Sequence, residues 1–348
     1  MHINAQGLLT RITELSDIMA KNSPIVVCIS ESHITKEIEE NDYCIEGYSV
    51  IVCYSNSRHT GGSLLYIRKG YKFKLLFNDT VDYSFWSLGV TLQIKKENLV
   101  VGTMSRSPNG SSSDFLDYLD DQLNSDLLSQ KTILLMGDLN IDYLRNDSDS
   151  RNLKRIIQSA GCKQIVTEET RVTDRSATLI DHIITNDFTL VEVPRIFPKI
   201  SDHDIIGVKI KVDGKQQTVE NTYTRNLSAQ NIENIIGDLI GEAWNYTSTD
   251  VDIIYSDFIK ILQKILDKWA PLKKNKKGYQ HPWITKVVRE AQRARDEAYR
   301  RYQFTRDVTD WNDYKIKRNR VTSLMRKEKT KYYEKNIENC REMEGKCG

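Results

Sequence analysis

The sequence predicts an α/β (α+β) sandwich of two packed β-sheets flanked by helices, followed by a mostly helical, basic extension. Three observations predict it. Apolar runs of strand length recur through the first 212 residues, amphipathic stretches of helical period lie between some of them, and beyond residue 228 only helical periodicity is left. Composition is compatible, since 39% apolar and 28% charged residues in a chain of 348 can bury a large core and do not describe a disordered polyelectrolyte.

Within residues 7–20, Leu8, Ile12, Leu15 and Ile18 fall at helical spacing and predict an amphipathic helix lying on a sheet. Pro24-Ile25-Val26-Val27-Cys28-Ile29 is too short for a core helix and predicts a strand buried on both faces, ending at Ser30-Glu31. Strands are expected at 49–53, 63–68, 86–93 and 98–104, with Gly61-Gly62 and Asn78-Asp79 as turns. Ser111-Ser112-Ser113-Asp114 can cap a helix carrying Phe115, Leu116, Leu119, Leu123 and Leu127. Thr132–Met136 then forms a strand that delivers Gly137-Asp138. A helix at 151–160 and strands at 179–185, 188–193 and 205–211 complete a domain spanning 1–212. The polar stretch 213–227, with Asp213-Gly214 as a turn signal, is a linker, and 228–348 is a helical, basic region with helices at 229–244, 251–269 and 283–340, the last broken near 305–310.

Charge is unevenly spread. Residues 271–348 carry 22 Lys+Arg against 11 Asp+Glu, a net +11, while residues 1–270 sum to −9. A basic block beside an acidic domain points to a nucleic-acid contact through phosphates, RNA through the tail included; a solvated helical surface is the alternative and the commoner outcome for charge runs. No apolar run approaches the roughly 18 residues of a bilayer span, and Met1-His2-Ile3-Asn4-Ala5 lacks the basic start and apolar core of a signal peptide, so the expectation is an intracellular protein, nuclear or cytoplasmic, without a membrane partner. Six cysteines without a C-x-x-C pair read as reduced thiols rather than zinc ligands or disulfides.

The residues that carry chemistry end or follow the apolar runs: Asn4, Ser30-Glu31-Ser32, Gly137-Asp138-Leu139-Asn140, Ile180-Asp181-His182 and Ser201-Asp202-His203. Strand ends can gather such groups at one edge of a sheet, as metal-assisted phosphodiester cleavage requires. Magnesium takes one or two carboxylates plus waters and substrate phosphate, which makes Glu31 a metal-ligand candidate, although a solvated strand-end Glu is the simpler reading. Asp138 and Asn140, two apart, point the same way on an extended segment, where one can orient or deprotonate a water and the other donate to phosphate; a plain turn is the alternative. Asp202 beside His203, with Ser201 to fix their orientation, offers an imidazole able to act as acid, base or cation. Of Asp181 and His182, which face opposite ways in a strand, Asp181 is expected to face the site.

Asn4-Ala5-Gln6-Gly7, Ile29-Ser30-Glu31-Ser32-His33, Met136-Gly137-Asp138-Leu139-Asn140, Thr170-Arg171-Val172-Thr173, Leu179-Ile180-Asp181-His182 and Ser201-Asp202-His203 resemble, in order and approximate spacing, the motifs of the endonuclease/exonuclease/phosphatase superfamily. They are most similar to the apurinic-type endonuclease domain of insect-type non-LTR retrotransposons. The resemblance covers residues 1–212 and is specific as a set. His281-Pro282-Trp283, Arg293-Ala294-Arg295-Asp296, Ala298-Tyr299-Arg300, Asn319-Arg320-Val321-Thr322 and Lys331-Tyr332-Tyr333 resemble the connector that precedes reverse transcriptase in such elements.

The resemblance implies a four-layered α/β sandwich and hydrolytic nicking of one DNA strand to leave a 3′-hydroxyl and a 5′-phosphate, with Mg2+ or Mn2+ and no small-molecule cofactor. It implies that Glu31 binds the metal with Asn4 beside it, that Asp138 positions and activates the attacking water, and that Asn140 holds the phosphate. His203 would bind the scissile phosphoryl oxygen, partnered by Asp181, Asp202 or both, and Thr170 would support the site or contact DNA. Met104-Ser105-Arg106-Ser107-Pro108-Asn109 matches a segment in which the family usually has Tyr before Arg-Ser-Pro-Asn, so Ser105 replaces a phenol with a shorter, less acidic hydroxyl, beside the substrate-side candidates Arg106 and Asn109. A catalytically weakened remnant serving as a nucleic-acid or protein interaction module, and a phosphatase of the same fold, are the competing functions.

Overall fold

The computed structural model describes residues 1–94, 97–125, 128, 131–173, 175–197, 199–211, 223–244, 250–274 and 281–344, the last five by backbone alone. Leu127, Val212 and residues 213–222 of the expected linker lie outside the described residues. The chain forms two compact units, one of residues 1–216 and 279–348 and one of 217–278, so the helical region expected over 228–348 is divided between them.

In the first unit, β1 (His2–Asn4), α1 (Leu8–Asn22), β2 (Val26–Ser30), α2 (Glu40–Tyr43), β3 (Tyr48–Cys53) and β4 (Ser63–Arg68) come first. Next are β5 (Lys72–Val81), β6 (Phe85–Ile94), β7 (Glu97–Arg106), α3 (Ser112–Asn124), β8 (Thr132–Asp138) and α4 (Ser148–Ser159). The short strands β9 (Lys163–Gln164), β10 (Arg171–Val172) and β11 (Ala177–Thr178) precede β12 (Asp181–Thr185), β13 (Arg195–Phe197) and β14 (Ile205–Gly207). Two mixed sheets result, in the orders β13-β14-β1-β2-β4-β3 and β5-β6-β7-β8-β12-β9. Each has one parallel pair near its middle, β1 with β2 and β7 with β8.

The period-two alternation of the strands places the core and the site together. Cys28, Leu65, Trp86, Leu134, Met136, Ile183 and Ile206 fill the space between the sheets. The opposite parity, Ile3, Val27, Ile29 and Leu64, receives Leu8, Leu15 and Met19 of α1. Ile133 and Leu135 receive Phe115 and Leu119 of α3 and Leu153 and Ile157 of α4. The outcome is the expected four layers, with each buried Leu or Ile worth about 1.5–3 kcal/mol. Asn4, Ser30, Asp138 and Asp181 share the inner parity but sit at strand ends, where the apolar filling stops. Gly137 faces outward in a place where an added Cβ would lie 1.7 Å from the Met104 carbonyl oxygen, so β8 can approach β7 only with glycine there.

Three expectations about strands are corrected. Asn78-Asp79 is no turn: β5 runs through it, with Asn78 Nδ2 donating to the Val52 carbonyl at 3.1 Å and Asp79 accepting from the Tyr118 hydroxyl at 2.8 Å. The turn falls at 82–84, where Tyr83 has φ 57°. The strand expected at 188–193 is reduced to a single bridge, Val191 to Ile210, because Pro194 offers no N–H to carry a ladder onward. The last strand stops at Gly207, opposite Arg195, where its partner β13 begins. Three of the cysteines, Cys28, Cys53 and Cys162, are buried free thiols, and Cys44 is an exposed one.

The second unit holds β15 (Tyr223–Thr224), α5 (Ala229–Gly241), α6 (Val251–Trp269) and β16 (Lys273–Lys274). Ile235, Ile265 and Ala270 form its small core, and Arg225 Nη1 ties its start to its end through Asp267 Oδ1 and the Ala270 carbonyl, both at 2.7 Å. No helix among the described residues is long and apolar enough to cross a membrane.

The first unit closes with α7 (Lys286–Thr305) and α8 (Val308–Glu344), an antiparallel pair broken at Arg306, whose left-handed φ of 54° caps α7. Helix α7 docks on α1 through buried polar pairs: Arg295 Nη1 on Glu14 Oε1, and Gln292 Nε2 on Asp17 Oδ2 at 2.8 Å. Glu14 is 7% and Arg295 4% exposed, and burial pushes the Glu14 carboxyl up despite the guanidinium beside it. Breaking such a pair strands a buried charge. Arg295→Met is therefore expected to cost about 3–5 kcal/mol by urea denaturation, and Glu14→Leu with Arg295→Met to recover most of that loss; equal losses in both variants would contradict a paired role.

Candidate active site at the strand ends

Asn4 leaves β1 and its amide spans two carboxylates, Nδ2 donating to Asp138 Oδ2 at 2.8 Å and to Glu31 Oε1 at 3.0 Å. The remaining oxygen of Asp138 accepts the Asn140 N–H at 2.9 Å. Four of the seven non-glycine residues with positive φ among the described residues, Gln6, Glu31, His33 and Asn140, lie on the loops leaving β1, β2 and β8. Each such conformation costs on the order of 1 kcal/mol or more and is held by its surroundings. For Asn140 this corrects an expectation. The strand ends at Asp138, so the two side chains do not project in parallel; Asn140 Nδ2 turns to the Arg106 carbonyl at 2.7 Å.

Asp181, at the start of β12 and opposite Asp138 in register, faces inward, and its Oδ2 lies 2.8 Å from His203 Nδ1. Its backbone N–H is held by Thr170 Oγ1 at 3.0 Å. His182 faces outward and bonds the Ile141 carbonyl through Nε2 at 3.0 Å. His203 Nδ1 is also 3.8 Å from Asp138 Oδ2, and its Nε2 is 3.6 Å from Asp202 Oδ1. Both of the expected carboxylate partners of His203 are thus present, with Asp181 the hydrogen-bonded one. Ser201 Oγ donates to the Asn4 carbonyl at 2.7 Å and accepts the His203 N–H at 3.2 Å, joining this loop to β1.

The electrostatics follow from burial. Asp138 is 1%, Asp181 0% and His203 3% exposed. Burial opposes charging of the His203 ring, but Asp181, Asp138 and Asp202 outweigh it and lift the imidazole to about 10. Burial likewise works against Asp181, yet His203, His2 and Thr170 hold its carboxyl below the usual range. Asp138 is left with the unfavourable share: burial and the Asp181 charge push it up to about 7. Burial drives His2 and His182 down to about 4, so the 3.5 Å approach of His2 Nδ1 to Asp181 Oδ1 is not an ion pair at neutral pH.

Other residues take up roles around the site that the sequence did not give. Arg106, expected on the substrate side, spends its guanidinium on the carbonyls of Leu139 (2.9 Å), Asn140 (2.8 Å), Gly110 (2.7 Å) and Ser107 (3.1 Å), and so clamps the loop after Asp138. Arg171 Nε and Nη2 grip Asp202 Oδ2 at 3.0 and 2.8 Å. Lys199, 1% exposed, donates to the Val172 and Asp202 carbonyls at 3.3 Å, lies 3.8 Å from Asp204 Oδ1 and packs over the Trp311 ring at 4.4 Å. Burial raises Asp204 to about 6, opposed by Lys199 and by a hydrogen bond from Tyr299 of α7. The helix pair thereby buttresses the loop that carries His203. Asp204 follows the motif directly and could have been flagged; Lys199, in an unremarkable stretch, could not. Ser105 is buried opposite Trp86, on the parity of β7 that faces between the sheets. Asn109 is exposed, its N–H on Ser107 Oγ at 3.4 Å, and among the described residues it makes no contact with this network.

Ligand atoms of Asp138, Asp181 and His203 lie within 4.8 Å of one another, a grouping that could hold a metal ion. The hydrogen bond from His203 Nδ1 to Asp181 argues against that nitrogen as a ligand, because a protonated ring nitrogen has no lone pair to give. Hard oxygens fit better: Asp202 Oδ1 is buried without a hydrogen-bond partner, and the Glu31 carboxylate stands beside Asn4 at the same edge.

The sequence model of the endonuclease/exonuclease/phosphatase family matches residues 1–203. The chain belongs to the endonuclease/exonuclease/phosphatase family. Among solved structures, the endonuclease domain of TRAS1, a telomere-specific non-LTR retrotransposon, is similar with a TM-score of 0.50 at 12% identity, over 61% of this chain and 98% of that one. An AP endonuclease from Archaeoglobus fulgidus (0.47, 14%) and a mannosyl-6-phosphatase from Bacteroides thetaiotaomicron (0.44, 11%) cover the same shares. No curated protein matches the sequence. At 12% identity the likeness to the TRAS1 domain shows the fold alone.

The charge assignment is open to a direct check. In metal-free protein the His203 imidazole should remain protonated through pH 8 in a nitrogen-detected NMR titration, and Asp181→Asn should let it lose its proton below neutral pH. Because the value in the fold lies above the ordinary 6.5, the pair's contribution to stability is complete below 6.5 and is lost as pH rises towards 10. A His203 titrating near 6.5 in the unmodified chain would refute the assignment.

Proposed function

We propose that this chain is a divalent-metal-dependent DNA endonuclease that nicks one strand by phosphodiester hydrolysis, leaving a 3′-hydroxyl and a 5′-phosphate, and that it derives from a non-LTR retrotransposon. The observation that carries this reading is the pairing at one edge of a carboxyl poised near neutrality with a buried, charged imidazole. Asp138, pushed up to about 7 and oriented by Asn4 and the Asn140 N–H, suits the base that takes a proton from the attacking water. His203, held in one orientation by Asp181, offers cationic charge to a phosphoryl oxygen in the transition state. Glu31, with Asp202 Oδ1, would hold the divalent ion, Mg2+ or Mn2+, which neutralises charge on the phosphoryl group. Asn4 orders the groups between metal and base. Asn140 keeps one amide hydrogen beyond its bond to Arg106 for a phosphate oxygen, and Thr170 supports Asp181 from behind.

One feature favours a second reading, a weakened nuclease-like module: the usual phenol is replaced by Ser105, a side chain too short to reproduce a tyrosyl contact. Plasmid relaxation separates the two. Purified protein with Mg2+ should convert supercoiled plasmid to the nicked form, EDTA should abolish this, and Asp138→Ala and His203→Ala should each lower the rate by roughly 10²–10⁴-fold. A folded protein with no activity above those variants would overturn the enzymatic reading and leave the module.

A further inference from the structure

A cleft of about 470 Å³ opens beside Asp202, between the strand-end loops and one face of α8. Its walls include Arg11 of α1 and Arg318, Asn319, Thr322 and Arg326 of α8. Arg318, Thr322 and Arg326 recur every four residues, about 6 Å apart along the helix, and so present one polar face towards it. Among the described residues no salt bridge closes on Arg11, Arg318 or Arg326, and Arg11 Nε is buried without a hydrogen-bond partner. Asp202 and Glu14 offset the three guanidiniums only in part, since Arg171 already takes Asp202 Oδ2 and Glu14 is bound to Arg295. Burial lowers the Arg11 guanidinium, and Arg318 and Arg326 push the same way against the opposing Glu14. Three guanidiniums round one cleft of this size, with the nearby carboxylates largely engaged elsewhere, form a site suited to an anion.

We infer that this cleft is a phosphate track in which Arg11, Arg318 and Arg326 hold the DNA backbone on one side of the scissile phosphate, so that α8 forms part of the substrate surface. The assignment rests on the nuclease reading above. Geometry favours a continuous polyanion, because Asp202 belongs to both the cleft and the His203 cluster, and the approximately 12 Å along the helix from Arg318 to Arg326 is long enough to meet more than one phosphate of a strand. Guanidiniums also suit phosphate oxygens through paired N–H donors, and the Asn319 amide, whose Oδ1 accepts from Arg318 Nη2 at 3.3 Å, adds a neutral N–H donor between them.

The test measures binding of the full-length chain to a labelled DNA duplex in EDTA, across a series of salt concentrations. Arg318→Gln with Arg326→Gln should weaken binding roughly tenfold or more and flatten the log–log salt slope by about 1.8, or about 0.9 per phosphate lost. Ser323→Lys, an addition on the exposed rim, should tighten binding and steepen the slope by about 0.9. Unchanged affinity and slope in both variants, with plasmid nicking intact, would overturn the track and leave the nuclease reading standing. A chain that binds and responds to both variants but never nicks would support the track while removing that reading. Equal binding to phosphatidylserine vesicles, lost in the same double variant, would overturn DNA as the ligand.

Discussion

Two carboxylates buried away from water, Asp138 and Asp181, share a single buried imidazole, and the rest of the structure is arranged around that shortage of positive charge. An isolated carboxylate in such a place would protonate or pull the local structure open. Here Asp181 takes the direct hydrogen bond and stays ionised, His203 stays charged, and Asp138 at 3.8 Å is left close to neutrality. One imidazole thus sets two carboxyls to different protonation behaviour, which is how acid–base roles are divided at neutral pH.

Holding three such groups within 4.8 Å of one another needs a frame that does not relax. Inner-facing positions on β1, β8 and β12 bring Asn4, Asp138 and Asp181 from distant parts of the chain to one level of the sandwich. Gly137 permits the close approach of β7 and β8, and Arg106 then ties the following loop to four carbonyls. The His203 loop is secured from outside the sandwich, by Lys199 beneath Trp311 and by Tyr299 on Asp204. Helices α7 and α8 therefore belong to the same physical unit as the site, although more than 80 residues separate them from His203 in sequence.

Much of this was legible in the sequence because it follows from period and composition. The β-branched run before Glu31, the strand before Asp138 and the inward parity of Asp181 over His182 are local patterns that the packing respects. What escaped depended on long-range partners. Asn78-Asp79 reads as a turn unless Val52 and Tyr118 are known to receive them. Asn140 leaves the strand because Arg106 is waiting for its carbonyl, and Arg106 resembles a substrate ligand until its four acceptors are in view. Lys199 sits among ordinary loop residues, and only the fold shows that Trp311, more than a hundred residues away, covers it. The docking of α7 on α1 was invisible for the same reason, since Glu14 and Arg295 look like solvated charges on two separate amphipathic helices.

The account turns on His203 and Asp181 being a hydrogen-bonded ion pair, and on the proposal that a metal would be held by carboxylate oxygens beside them. A crystal soaked in Mn2+ and measured at an anomalous wavelength tests this most directly. The account predicts a single peak bounded by carboxylate oxygens of Glu31 and Asp202, with His203 Nδ1 still bonded to Asp181. A peak seated between Asp138, Asp181 and the His203 ring nitrogen, or no peak at this edge, would contradict it.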